Sequence, residues 1–204
     1  MKNILFILIF FNLSASAQNI DMEKDTIQMK GVEVNKKKGR QVSYKFNRGI
    51  CTYFESLSPD REMATMAYDL PVGIVKKLRF EFNHASSRDR KGIFKETEIE
   101  VNFYEVNNDG NPGDKIASKI ILVPASHSGK MDIDVSELGV RNEKGIYIAL
   151  HRIRKEGAKG NDFEVDCSCK ENKKYKTMTY SPKRGTWLPA RGSYAFELTV
   201  TIEK

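Results

Sequence analysis

Along most of the chain apolar residues recur at every second position. In Tyr194 to Ile202, residues Tyr194, Phe196, Leu198, Val200 and Ile202 fall on one face, with Glu197, Thr199 and Thr201 on the other. Alternation of that kind predicts a half-buried strand. The same pattern marks Val42, Tyr44, Phe46; Ile74, Leu78, Phe80, Phe82; Ile99, Val101, Phe103; Met131, Ile133, Val135; and Ile146, Ile148, Leu150. Turn chemistry separates these runs: Ser58-Pro59-Asp60, Asn107 to Asp114, His127-Ser128-Gly129, Asn142 to Gly145 and Lys155 to Asp162. No segment keeps an apolar repeat at helical spacing over three turns, and the stretch after Asp134 suits a single short turn.

About nine or ten one-sided strands cannot be satisfied by a lone sheet, because every apolar face needs a partner. The expected fold is therefore all-β, an antiparallel two-sheet β-sandwich of jelly-roll type. An immunoglobulin-like sandwich is the alternative, although Trp187 follows all three cysteines and the Cys and Trp arrangement of that fold is missing. A closed lipocalin-like barrel is a third option.

The opening "MKNILFILIFFNLSASAQ" has one cation, Lys2, before the apolar run Ile4 to Phe11, and then Ala15-Ser16-Ala17. That is the order of a signal peptide, residues 1–17, cut after Ala17. The run is shorter than the roughly 20 residues a membrane span needs, and no later segment is long and apolar enough. No cysteine near the cut suggests a lipid anchor. The mature chain is expected outside the cytoplasm, in the periplasm or at the cell surface, with an extended tail or linker over 18–39 and the sandwich over 40–204.

Export changes how "FEVDCSCK" is read. In a strand Phe163, Val165, Cys167 and Cys169 share the apolar side. Zinc sites favour four ligands from paired Cys-x-x-Cys turns, and redox sites favour Cys-x-x-Cys at a helix start. Neither spacing is present, and oxidation is favoured outside the cell. The expected arrangement is a structural disulfide from Cys51 to either Cys167 or Cys169, leaving one buried thiol.

The charge balance, 34 basic against 27 acidic residues, is +7. The excess clusters in Asn35 to Arg40, Lys170 to Lys176 and around Lys183, Arg184 and Arg191. Such runs are solvated loops or an attraction for an anionic partner. Nucleic acid is disfavoured by the export signal and by the absence of reading motifs. His84, His127 and His151 read as surface histidines, since none has a second histidine at ligand spacing and no nucleophile elbow is present. Asn107, Asp109 and Asn111 have the spacing of a calcium loop, but Pro112 and Ser118 occupy the places of its glycine and its bidentate acid, so a hairpin turn is expected. No metal or cofactor is expected.

From Ile99 to Ile153 the chain has a strand with a Tyr phrase, a "DGNPG" turn, a strand, "DIDVSELGV" and "KGIYIAL". In this it resembles a group of poorly characterised exported proteins of Bacteroidetes-type bacteria. The phrase "IQMKGVEVNKKK" is similar to connectors next to carboxypeptidase-regulatory-like and TonB-plug segments of that phylum. The resemblance implies a jelly-roll-like sandwich in the cell envelope and no catalytic residue. The leading expectation is a non-catalytic envelope or surface module that binds a glycan or a protein partner. Tyr180 and Trp187 would stack on sugars, and Lys183, Arg184 and Arg191 would hold anionic groups. Trp187 as a simple core residue is the competing view. The alternative function is a polysaccharide hydrolase with a carboxylate pair that the sequence does not locate.

Overall fold

A computed structural model describes residues 39–46, 52–67, 69–84, 96–125, 127, 129–153, 163–168, 177–190 and 195–204. They belong to a compact unit running from Lys38 to Lys204. The expected signal peptide, the tail as far as Lys38, Cys51, Cys169 and Arg191 lie outside the described residues.

The described residues form strands joined by turns, with one 3-10 turn at Ser136–Leu138 where a single short turn was expected. Every strand pairing among the described residues is antiparallel. The first sheet runs β1 (Gln41–Phe46), β13 (Leu198–Glu203), β4 (Gly73–His84), β10 (Phe163–Ser168), β2 (Thr52–Ser56), with β7 (Gly129–Asp134) and β8 (Arg141–Asn142) also on β4. The second runs β12 (Thr186–Pro189), β11 (Thr177–Ser181), β3 (Glu62–Ala67), β9 (Ile146–Arg152), β5 (Thr97–Val106), β6 (Pro112–Val123). Apart from the hairpins β5–β6 and β11–β12, most successive strands from β3 onward lie in opposite sheets, so the chain wraps round its core. This is the expected two-sheet sandwich.

Between the sheets lies one apolar layer. Phe80 and Phe82 of β4 pack against each other at 5.8 Å; Phe196 meets Phe80 edge-on at 5.9 Å and Phe163 lies 5.3 Å from Phe82. From the second sheet Ile99, Val101, Phe103, Ile146, Ile148 and Leu150 fill the facing side. Each such side chain contributes about 1.5–3 kcal/mol by leaving water, which makes this layer the main source of stability.

β4 departs from simple alternation. Val75, rather than Ile74, is fully buried, because the pairing with β13 slips between Thr201 and Ile202. The extra residue re-aims the start of the strand. There Gly73 runs so close to β13 that a Cβ would sit 2.5 Å from the Glu203 carbonyl oxygen, which only glycine tolerates.

Candidate functional site

In a sandwich the inner faces are hidden and the outer faces meet solvent. The outer face of the second sheet departs from this rule. Its register sets Trp187 opposite Tyr180, Tyr180 opposite Glu62, Glu62 opposite His151, and His151 opposite Glu100. One line of polar and aromatic side chains therefore crosses five strands. The next line holds Met178, Ala64, Ala149 and Asn102.

Although it points away from the core, Glu62 is only 8% exposed and Asn102 only 1%. Glu62 is held by three hydrogen bonds: Asn102 Nδ2 donates to its Oε1 at 2.7 Å, and the Tyr104 hydroxyl lies 2.9 and 3.0 Å from its two oxygens. Asn102 Nδ2 also reaches Glu100 Oε2 at 3.3 Å. One amide thus joins two carboxylates, while its own Oδ1 is buried without a hydrogen-bond partner. Unpaired buried acceptors are costly and call for an explanation.

Glu100 connects this network to solvent. Lys115 Nζ and His151 Nδ1 each lie 3.5 Å from its carboxylate. Burial pushes the Glu100 carboxyl up, but the Asn102 hydrogen bond, the Lys115 charge and the His151 contact outweigh it and hold the group below its ordinary value. Tyr104 is pushed well above the ordinary tyrosine value by burial and then by the Glu62 charge, so its hydroxyl stays a donor.

The burial has a steric cause. β12 and β5 are four strand spacings apart, about 19 Å in a flat sheet. Even so, the Trp187 and Tyr104 rings meet edge-on at 5.2 Å. Two rings leaning toward one another do not span that distance by themselves, so the sheet also curls toward this face. Ala64 and Ala149 at the centre are short enough to leave that room, and with Tyr147, Met178 and Tyr104 they form a second apolar cluster against which Trp187 packs. The Lys115 ammonium stands 5.8 Å over the Tyr104 ring.

Of the residues expected from the sequence, Tyr180 and Trp187 are brought together, with ring centroids 5.3 Å apart. They flank a tight hairpin whose Gly185 has φ +64° and whose tip exposes Lys183 and Arg184. Trp187 is half-buried on the outer cluster and is not part of the inter-sheet core. Cys167 is a buried free thiol, as its place beside Phe163 and Val165 requires, and burial pushes its pKa up. Cys51, the common half of both expected bridges, and Cys169 lie outside the described residues. The Asn107 turn is a hairpin connection: the Asn107 side chain accepts from the amides of Asp109 (3.1 Å) and Asn111 (2.8 Å).

Sequence reasoning missed Glu62, Glu100, Asn102, Tyr104 and Lys115, and read His151 as an isolated surface group. A signal was present: the polar side of β5 reads Glu98, Glu100, Asn102, Tyr104, and a mid-strand asparagine is uncommon.

No family model matches this chain, and no curated protein matches its sequence. Among solved structures it is similar to the cysteine protease and lectin-like domains of Cwp84, a surface layer associated protein of Clostridium difficile. The TM-score is 0.54 at 12% identity over 80% of this chain, which spans 36% of that one. A match to infectious bursal disease virus Gt strain, at 10% identity over 81% of this chain and 35% of the other, has a TM-score of 0.21 and carries no argument. At these identities the likeness to Cwp84 is one of fold alone.

Proposed function

We propose that this chain is a non-catalytic, exported carbohydrate-binding module of the cell envelope. It takes sugar rings on the outer face of the second sheet, against Tyr180 and Trp187. The observation that carries the reading is the juxtaposition on one face of an aromatic group, Tyr104, Trp187 and Tyr180, with the polar line Glu62, His151 and Glu100. Sugars present apolar C–H faces and rims of hydroxyls, so aromatic rings beside fixed acceptors and donors suit them. The likeness to a chain that includes a lectin-like domain accords with this reading.

Binding is favoured over hydrolysis by the state of Glu62. A glycosidase needs one carboxyl free to give a proton and another free to attack or to activate water. Both oxygens of Glu62 already accept hydrogen bonds, from a tyrosine that keeps its proton and from an amide. The carboxylate is fixed as an acceptor that orients its neighbours.

Trp187 is the only tryptophan, so its emission reports on this face alone. Titration with neutral and acidic oligosaccharides should give a saturable change with at least one class, and Lys183 and Arg184 at the hairpin tip would favour the acidic members. A flat response across the whole panel would refute the glycan reading.

A further inference from the structure

β6 is the last strand of the second sheet among the described residues. The backbone orientation of its open edge follows from a single bond. The Ile153 amide donates to the Glu98 carbonyl at 2.9 Å, so Glu98, Glu100 and Asn102 turn their backbone groups toward β9. Ile99, Val101 and Phe103 therefore turn theirs toward β6, where they face Ile121, Lys119 and Ala117. The remaining residues of β6, Ser118, Ile120 and Leu122, direct N–H and C=O outward from the edge. Their side chains lie on the outer face, where Ile120 is 61% and Leu122 45% exposed. An apolar strand with outward backbone groups is a template for another strand.

We propose that β6 pairs antiparallel with β6 of a second copy, about a two-fold axis normal to the sheet, with Ile120 opposite Ile120 of its mate. The register follows from symmetry and charge. A two-fold pair keeps like faces together, so its centre falls on a residue. Centring on Lys119 would set two ammonium groups against each other. Centring on Ser118 would oppose Ile120 to Ile116, which sits in the irregular pairing between Ala117 and Lys115. Centring on Ile121 shortens the ladder. Centring on Ile120 sets Leu122 against Ser118, Lys119 against Ile121 and Ala117 against Val123, with no like charges opposed. Lys119 is already turned toward the other sheet, where it donates to the Asp134 carbonyl at 2.7 Å and meets Glu137.

This register has a structural consequence. Ile120 stands opposite Glu100, so the line Trp187, Tyr180, Glu62, His151, Glu100, Ile120 runs straight through the axis into its copy. The two outer faces become one, with the two Trp187 side chains on the order of 50 Å apart along the sheet. Two sites facing the same way would engage a polymeric ligand bivalently. The dimer itself does not rest on the glycan reading.

Light scattering and sedimentation of the purified protein should give a dimer. Ile120→Lys should give a monomer with unchanged far-ultraviolet dichroism, since the side chain is exposed. A short bismaleimide should cross-link Ile120→Cys to dimer, while Ile116→Cys should stay at the wild-type background because that register holds the two copies of residue 116 roughly 26 Å apart. A wild-type monomer at every concentration tested, a dimer indifferent to Ile120→Lys, or equal cross-linking of the two cysteine variants would overturn the proposal.

Discussion

The two outer faces of the sandwich solve the same problem in opposite ways. On the first sheet β4 and β7 set Lys77 opposite Asp134, Arg79 opposite Asp132 and Glu81 opposite Lys130. Arg79 grips Asp132 through two bonds of 2.5 and 2.9 Å, and that hydrogen bond holds the Asp132 carboxyl below its ordinary value. Beside them the hydroxyls of Ser43 and Thr201 meet at 2.9 Å. Charges here stay wet and are paired strand by strand. On the second sheet a carboxylate, Glu62, and an amide, Asn102, are buried beside an aromatic cluster, and Glu100 is half-buried next to them. Solvated ion pairs keep a surface soluble at little energetic gain. Buried polar groups are costly unless satisfied, so such an arrangement is better suited to a site than to a coat.

Glu62→Ala should show the contrast most strongly. It strands the buried Tyr104 hydroxyl and takes the shorter of its two bonds from the Asn102 amide, and denaturant unfolding should report a loss of about 2–4 kcal/mol. Ala149→Leu fills the space over which Tyr104 and Trp187 lie, with an expected cost of about 1–3 kcal/mol and a shift in Trp187 emission. The matching change on the other face, Thr201→Leu, should move the unfolding midpoint far less.

Titration separates the faces next. Glu100 has a depressed folded pKa, so its contribution is present above its unfolded value of about 4.3 and is lost as pH falls through the folded one. Tyr104 has a raised folded pKa, so its contribution is intact below about pH 10 and is lost as pH rises toward the folded value. Thermal midpoints against pH should flatten at the acid end in Glu100→Gln and at the alkaline end in Tyr104→Phe. The smallest effect belongs to Arg79→Ala, whose ion pair is exposed: the midpoint should barely move, and what change there is should fade with added salt.

How much of this was legible depended on how sharply each strand divides its faces. β13 alternates cleanly, and in β5 and β9 the larger aliphatic and aromatic residues on the inner side marked a period of two although part of the outer side is buried as well. β3 could not be read this way. Its sequence Glu62-Met63-Ala64-Thr65-Met66-Ala67 is buried on both sides for most of its length, so no period of two shows. With β3 missing, Glu62 had no neighbours, and the carboxylate line that depends on strand register was invisible. Tyr180 and Trp187 were legible because they flank a turn rich in Gly, Lys and Arg, and a hairpin makes such residues cross-strand partners. The Trp187 and Tyr104 contact, by contrast, joins rings from strands four places apart in the sheet, which only the folded sheet reveals.

The central claim is that ligand is taken on one outer face and not on the other. Calorimetric titration of an oligosaccharide that perturbs Trp187, repeated with Trp187→Ala and Arg79→Ala, tests it most directly. The account predicts at least a tenfold loss of affinity, about 1.4 kcal/mol, for Trp187→Ala and no change for Arg79→Ala. Undiminished binding by Trp187→Ala, or a comparable loss in Arg79→Ala, would contradict it.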